Sequence, residues 1–373
     1  MDRPLLLFLA LVLLISSCTD KRTLDRAEST ITAEELREYT QTLSADTFMG
    51  RKPFTEGEAI TTRYLAAKLG EIGFEPVFKG SWFQSVPMVE ISTSINGPVI
   101  ISNHGKRFEL SVPDDIAVES PAQKEPVVLK DVPMVFCGFG IVAPEYGWDD
   151  YENLDVKGRC VVVLVNDPGL YTNDTTLFKG RQMTYYGRWT YKYDEAARQG
   201  AAAILIIHEN TGAGYDYSIP RKSSITPRLY MVQNEAQTPP CDVTGWLNAD
   251  AAKRLFDMLA INVDTLRRKA CAKGYKGFEM ATSITLSGEN TLKYNTSLNV
   301  AGILSGSKNP GESIIISGHW DHFGIGEKEN GDSIYNGAVD NATTMAWALE
   351  MGEAFSSLKK RPERSVIILF PTA

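Results

Sequence analysis

The chain has 373 residues, 43% hydrophobic and 23% charged, which suits two or three folded domains and excludes a disordered or polytopic membrane chain. Its 38 Lys and Arg against 46 Asp and Glu leave a net charge of −8 with no basic block, so no nucleic-acid partner is expected. With four histidines in the sequence, any imidazole chemistry falls to His104, His208, His319 or His322.

The N-terminus reads as an address. After Arg3 comes an unbroken apolar run, Leu5 to Ile15. It is far shorter than the roughly 20 residues of a membrane-spanning helix and fits the apolar region of a secretory signal. Ile15-Ser16-Ser17-Cys18 follows, small residues before a cysteine, and resembles a bacterial lipoprotein signal. That resemblance implies lipidation at Cys18, a signal peptide over 1–18, a polar tether over 19–30, and an exported cell-envelope lipoprotein held to the membrane by acyl chains. A plain signal peptide with an incidental cysteine ranks second. The other cysteines, Cys137, Cys160, Cys241 and Cys271, allow three pairings. Cys137 and Cys160 sit in apolar runs where buried free thiols are expected, and no Cys-x-x-Cys marks a structural zinc site.

Residues 31–94 read as the first part of the main domain. Thr32-Ala-Glu-Glu35 is a capping box and predicts a helix to about Leu43. A turn-rich loop, Phe48 to Gly57, leads to a second helix over Gly57 to Gly70, with Ile60, Leu65 and Leu69 at helical spacing. Over 95–288 short β-type runs alternate with turns, notably Met134–Cys137, Cys160–Val165 and Ala203–Ile207. A helix is predicted over Thr190 to Gln199, and long loops over 166–186 and 208–230. This segment reads as a β-rich insert carried on another domain. Arg188, Trp189, Tyr191 and Tyr193 offer themselves as cleft residues, but their spacing favours core. No ionisable cluster in the insert reads as catalytic.

Residues 289–373 become α/β. Ser313–Ser317 predicts a strand buried on both faces of a sheet. Ala342 to Lys359 predicts a helix, with Met345, Leu349, Gly352 and Phe355 on one face and lysines in its last turn. Ser365–Phe370 is the next strand. Strand, helix, strand makes a βαβ unit and a partly parallel sheet, so the fold class is α/β.

The chemistry gathers at one sheet edge. Gly318-His319-Trp320-Asp321-His322-Phe323-Gly324 follows the first of these strands, and Asn336-Gly337-Ala338-Val339-Asp340-Asn341 ends the same connection. Ligands bind beyond the carboxyl ends of parallel strands. An imidazole and a carboxylate brought together there can share a divalent metal such as zinc. His319 and Asp340 are therefore read as metal ligands and Asp321 as the carboxylate that orients His319. Asp340 or Asn341 can also cap the helix, which is compatible with ligation. Trp320 and His322 read as packing or rim residues, and His104 and His208 as ordinary partly buried histidines.

These two segments resemble the co-catalytic dizinc exopeptidases, the family of secreted bacterial aminopeptidases and glutamate carboxypeptidases. Met49-Gly-Arg-Lys-Pro-Phe-Thr-Glu-Gly57 resembles that family's N-terminal Gly-Arg…Gly segment. The insert resembles a protease-associated domain in Cys137–Tyr151, Tyr186–Ala201 and Ile206–His208. The resemblance implies a zinc exopeptidase core, two Zn2+ per complete site, His319 on one zinc, Asp340 bridging both, and a cis peptide between Asp340 and Asn341. Peptide substrates and an aminopeptidase activity through a zinc-activated water follow. The family's Glu-Glu pair, general base and further ligand, comes after the strand that here ends in Pro371-Thr372-Ala373. The chain is accordingly expected to be a fragment of a longer enzyme and inactive alone. Alternatives are a carboxypeptidase of the same family and a non-catalytic binding protein using the protease-associated domain; a glutaminyl cyclase ranks low.

Overall fold

A computed structural model describes residues 24–372 apart from 173 and 235, so the signal segment and Cys18 lie outside the described residues. In chain order the main elements are α1 Ala33–Leu43, α2 Glu56–Glu71, β1 Phe83–Ile95, β2 Ile116–Glu119, β3 Pro126–Phe136, β4 Cys160–Leu164, α3 Trp189–Arg198, β5 Ala203–Ile207, β6 Val243–Leu247, α4 Ala249–Met258, β7 Phe278–Leu304, β8 Asn309–Ser317, β9 Gly324–Glu329, β10 Asp332–Tyr335, α5 Thr343–Ser357 and β11 Arg364–Phe370. They fall into two compact units. One comprises the described parts of Met1–Met88 and Asn295–Ala373, the other Val89–Tyr294. The chain passes between units within β1 and β7, so the changes of sequence texture at 95 and 288 fall inside strands.

In the first unit α1 starts where the capping box places it. Thr32 Oγ1 accepts from Glu35 N at 3.1 Å and donates to Glu35 Oε2 at 3.0 Å. β8 and β11 run parallel, with Ile314 opposite Val366 and Ile316 opposite Ile368. The last residues of β7 flank β11 in antiparallel pairing, Val300 opposite Phe370. α5 forms the crossover from β8 to β11, and its Met345 and Leu349 enter a core with Leu65, Leu69, Ile368 and Phe370.

Two expectations are corrected here. β8 is not buried on both faces: Ile314 and Ile315 are 53% and 58% exposed, and Ile316 alone of the three is buried. Among the described residues β8 is an edge strand, paired only with β11, so one side of it faces solvent. The lysines also lie beyond the helix rather than in its last turn, because α5 ends at Ser357 and Leu358 is already extended.

In the second unit the centre is a run of four parallel strands, β3-β4-β5-β6, with β2 antiparallel to β6 at the far edge. β4 and β5 are buried along their whole length, which is why they read as continuous apolar runs. α3 connects them. The stretch expected as a long loop at 208–230 holds the short helices Asn210–Ala213 and Ser218–Ser224. Cys137, Cys160 and Cys241 are buried free thiols, and Tyr191 is core.

Candidate metal centre

The site is built in the first unit where the chain leaves β8. Gly318 N donates to Leu369 O and Trp320 N to Pro371 O, both at 3.2 Å, so the segment stays laced to the end of β11. Trp320 is buried completely and its Nε1 donates to Leu298 O at 2.8 Å. With Trp320 driven into the core, its neighbours His319 and Asp321 face the opposite way.

His319 lies between two carboxylates. Its Nδ1 is 3.2 Å from Asp321 O and 3.3 Å from Asp321 Oδ1, and its Nε2 is 3.1 Å from Asp340 Oδ1. Two acceptors beside Nδ1 place the proton there and leave the Nε2 lone pair facing a carboxylate oxygen. Such an arrangement repels unless a cation or a second proton sits between them. Two ligands of a tetrahedral zinc, each at about 2.0–2.1 Å, stand roughly 3.3 Å apart, so the observed separation fits a shared metal. The Asp321 side chain, hydrogen-bonded to His319, raises the imidazole pKa above its ordinary value; burial opposes this and the charges of Asp321 and Asp340 add to it. Asp321 Oδ1 is buried with no other partner, as suits a residue whose task is to hold the ring.

Asp340 reaches the site through an unusual turn. Gly337 is left-handed at φ 64°, and a wide turn over Ala338–Ala342 follows, with the Asp340–Asn341 peptide cis. Neither Asp340 nor Asn341 caps α5; Ala342 occupies the N-cap without a side-chain bond. The Asp340 carboxylate is mainly solvent-exposed and free to ligate, with its side chain 66% accessible.

Sequence reasoning missed the residue that assembles this loop. Arg51 is wholly buried and donates Nε to Trp320 O at 2.8 Å, Nη1 to Asn336 O at 2.6 Å and Nη2 to Gly337 O at 2.9 Å. One planar guanidinium thus fixes both metal-bearing segments. Burial pulls its pKa down to about 10, while Asp321 and Asp340 work in the opposite direction. Arg51 follows Met49 and Gly50 through three successive left-handed residues. A Cβ on Gly50 would meet Gly324 O at 2.5 Å and Tyr335 O at 2.7 Å, so the turn seats tightly against β9 and β10. His322 joins the same scaffold: its N donates to Arg51 O at 3.1 Å, and its Nδ1 lies 2.7 Å from Tyr335 O. Its Nδ1 is thus engaged with the backbone of β10.

Glu58 was missed as well. Burial raises its carboxyl pKa, although Phe54 N at 2.6 Å and Ser297 Oγ at 3.0 Å donate to it. Ser297 Oγ in turn lies 2.7 Å from Thr372 Oγ1, which extends a polar chain to the end of β11. The sequence signal beside Arg51 was the Gly-Arg…Gly resemblance in the loop 49–57, which stops one residue short of Glu58. His104 and His208 belong to the second unit, where His208 is buried against Tyr215, Tyr217 and Trp246.

An α/β sheet edge with a convergent His–Asp pair and a carboxylate behind the imidazole defines a candidate metal-binding centre. Residues 299–373, which carry that pair, match the model of peptidase family M28. Among curated proteins no sequence matches the chain. Solved structures resemble it. Among them are an aminopeptidase from Aneurinibacillus sp. strain AM-1 at 18% identity and TM-score 0.37, covering 91% of this chain and 62% of its own; a peptidase M28 precursor from Shewanella amazonensis SB2B at 17% and 0.43, covering 96% and 67%; and BSAP, a zinc aminopeptidase from Bacillus subtilis, at 14% and 0.36, covering 91% and 61%. The chain spans from 61 to 67% of the length of these structures.

Proposed function

We propose that this chain contributes the metal-binding part of an exported zinc exopeptidase, an aminopeptidase that removes N-terminal residues from peptides with two Zn2+ per complete site. The observation that carries the reading is the 3.1 Å approach of His319 Nε2 to Asp340 Oδ1, inside the segment that matches peptidase family M28. Zinc, when bound, supplies Lewis acidity toward a carbonyl and lowers the pKa of water. His319 gives an imidazole nitrogen and Asp340 a carboxylate oxygen. Asp321 keeps the His319 proton on Nδ1, and Arg51 sets the spacing of the two segments. Two protein donors alone hold zinc weakly, since structural and catalytic sites use three or four. Among the described residues no third His, Cys, Asp or Glu joins the pair.

Export and lipidation at Cys18 belong to the same proposal. Among the described residues no helix is long and apolar enough to cross a membrane, and a lipid on Cys18 requires none.

The test uses the protein in its natural form with dipeptides blocked at one end. Hydrolysis of C-blocked but not N-blocked dipeptides, abolished by chelator and by His319→Ala, is the expected result. Cleavage of N-blocked dipeptides with a free carboxylate would make it a carboxypeptidase. Zinc binding without turnover of either would favour a non-catalytic binding protein.

A further inference from the structure

A second group of oxygen donors lies in the first unit, away from His319 and Asp340. Glu35 sits in the first turn of α1. Glu350 and Glu353 are one turn apart on α5 and so share a face. One carboxylate oxygen from each lies within 4.8 Å of the others. Among the described residues none of the three has a Lys, Arg or His partner. Three clustered carboxylates without a counter-charge repel one another, and something must neutralise them.

An independent observation points to what does so. Glu350 is fully buried. Its Oε2 accepts from Thr32 N at 3.0 Å, which satisfies an orphan donor at the start of α1. Its Oε1 is buried with no hydrogen-bond partner at all. A buried carboxylate oxygen left unpaired is costly, and native structures rarely keep one without an ion or water on it. Ser356 Oγ nearby is also buried and unpartnered, and it borders an open recess of about 500 Å³ lined by Glu35, Tyr39 and Glu353. The Tyr39 phenol is pushed up to about 12 by burial and then by the charges around it, Glu353, Glu350 and Glu35 among them.

We propose that Glu35, Glu350 and Glu353 form a binding site for a hard divalent cation, calcium or magnesium, clasping the start of α1 to α5. The donors are all oxygen, which suits calcium or magnesium rather than zinc. One oxygen from each carboxylate lies within 4.8 Å of the others, close enough for all three to share one cation. The recess leaves room for the waters that complete its coordination. The site goes beyond the peptidase reading and does not depend on it.

The experiment is calcium titration, and in parallel magnesium titration, of the chelator-stripped full chain, followed by calorimetry and by melting temperature. One saturable site per chain is expected, with a dissociation constant on the order of 10⁻⁴–10⁻³ M, the weak end of protein calcium sites. Glu353→Gln and Glu35→Gln should each weaken binding at least tenfold while the calcium-free melting temperature holds or rises, because a repelling charge is gone. The double variant His319→Ala/Asp340→Asn should bind calcium as the parent does. Absence of saturable binding up to about 10 mM calcium, and likewise up to about 10 mM magnesium, would overturn the proposal and leave the carboxylates sharing a proton. So would unchanged binding in both glutamine variants, or loss of binding in the His319/Asp340 double variant.

Discussion

Arg51 Nε donates to the carbonyl of Trp320 at 2.8 Å, and through that one atom a loop near the N-terminus fixes the residue between His319 and Asp321. The other arm of the guanidinium holds Asn336 O and Gly337 O at 2.6 and 2.9 Å, on the approach to Asp340. Arg51→Lys keeps the charge and loses the fork, since an ammonium cannot span both segments. Each buried carbonyl left without a donor costs about 1–3 kcal/mol. The expected outcome is a lower melting temperature and zinc affinity at least tenfold weaker, measured by competition with a chromophoric chelator. Unchanged zinc affinity in a folded Arg51→Lys chain would remove Arg51 from the site.

In the proposed site Asp321 acts on the metal only through His319. Carboxylates behind a ligating imidazole are worth about 10–100-fold in metal affinity. Asp321→Ala should weaken zinc binding by that factor, and Asp340→Asn by more, since it removes a ligand. If Asp321→Ala and Asp340→Asn weakened binding equally, Asp321 would have to be a direct ligand.

What the sequence made legible follows the range of the forces involved. The capping box at Thr32, the run Ala203–Ile207 and the helix after Asp340 are set by neighbours within a few residues, and periodicity reads them directly. His319 and Asp340 were legible because two short segments had to end on the same sheet edge. Arg51 was not, because its partners lie up to 289 residues along the chain and nothing local marks an arginine in a turn as buried. Lys192 was hidden for a related reason. A lysine on a helix normally faces solvent, but α3 turns its Tyr191–Lys192–Glu195–Ala196 face inward. The exposure of Ile314 and Ile315 on β8 went the other way: an apolar triplet predicts burial and cannot say which strand lies at the edge.

Gly337 can be tested apart from the ligands. Its φ of 64° is costly for a residue with a side chain, and a Cβ there would meet Asp340 O at 2.4 Å and Arg51 Nη2 at 2.5 Å. Gly331, also left-handed at φ 93°, has nothing within 4 Å of such a Cβ. Gly331→Ala therefore carries only the conformational cost, about 1–2 kcal/mol. Gly337→Ala carries that cost and displaces the Asp340 turn as well. Zinc affinity should fall at least tenfold in Gly337→Ala and stay at the parent level in Gly331→Ala. Equal affinities in the two variants would show that the close approach is not needed.

The second unit offers a pH test through Lys192 and Asp150. Lys192 is fully buried, with Nζ donating to Phe139 O at 2.6 Å. Burial lowers its pKa to about 7, although Asp150 and Asp167 pull it upward. An unfolded lysine keeps its proton to about pH 10.4, so between about pH 7 and 10 the unfolded chain binds more protons than the folded one. Stability should rise with pH over that window, by up to about 1.4 kcal/mol per pH unit. Asp150 acts in the opposite sense. Burial raises its carboxyl to about 7, against Trp148, Ile141 N, Lys192 and Phe139 N. The folded chain then holds the extra proton between about pH 4 and 7, and this contribution is lost as pH rises through that range. The two together predict a shallow minimum of stability near neutrality. Lys192→Met removes the upper rise and Asp150→Asn the lower fall. Urea midpoints at pH 5, 7 and 9 should show the parent gaining about 1–3 kcal/mol on Lys192→Met from pH 7 to 9. Parallel curves for parent and variant over that range would mean that the lysine keeps its proton in the folded unit, paired with Asp150 and Asp167.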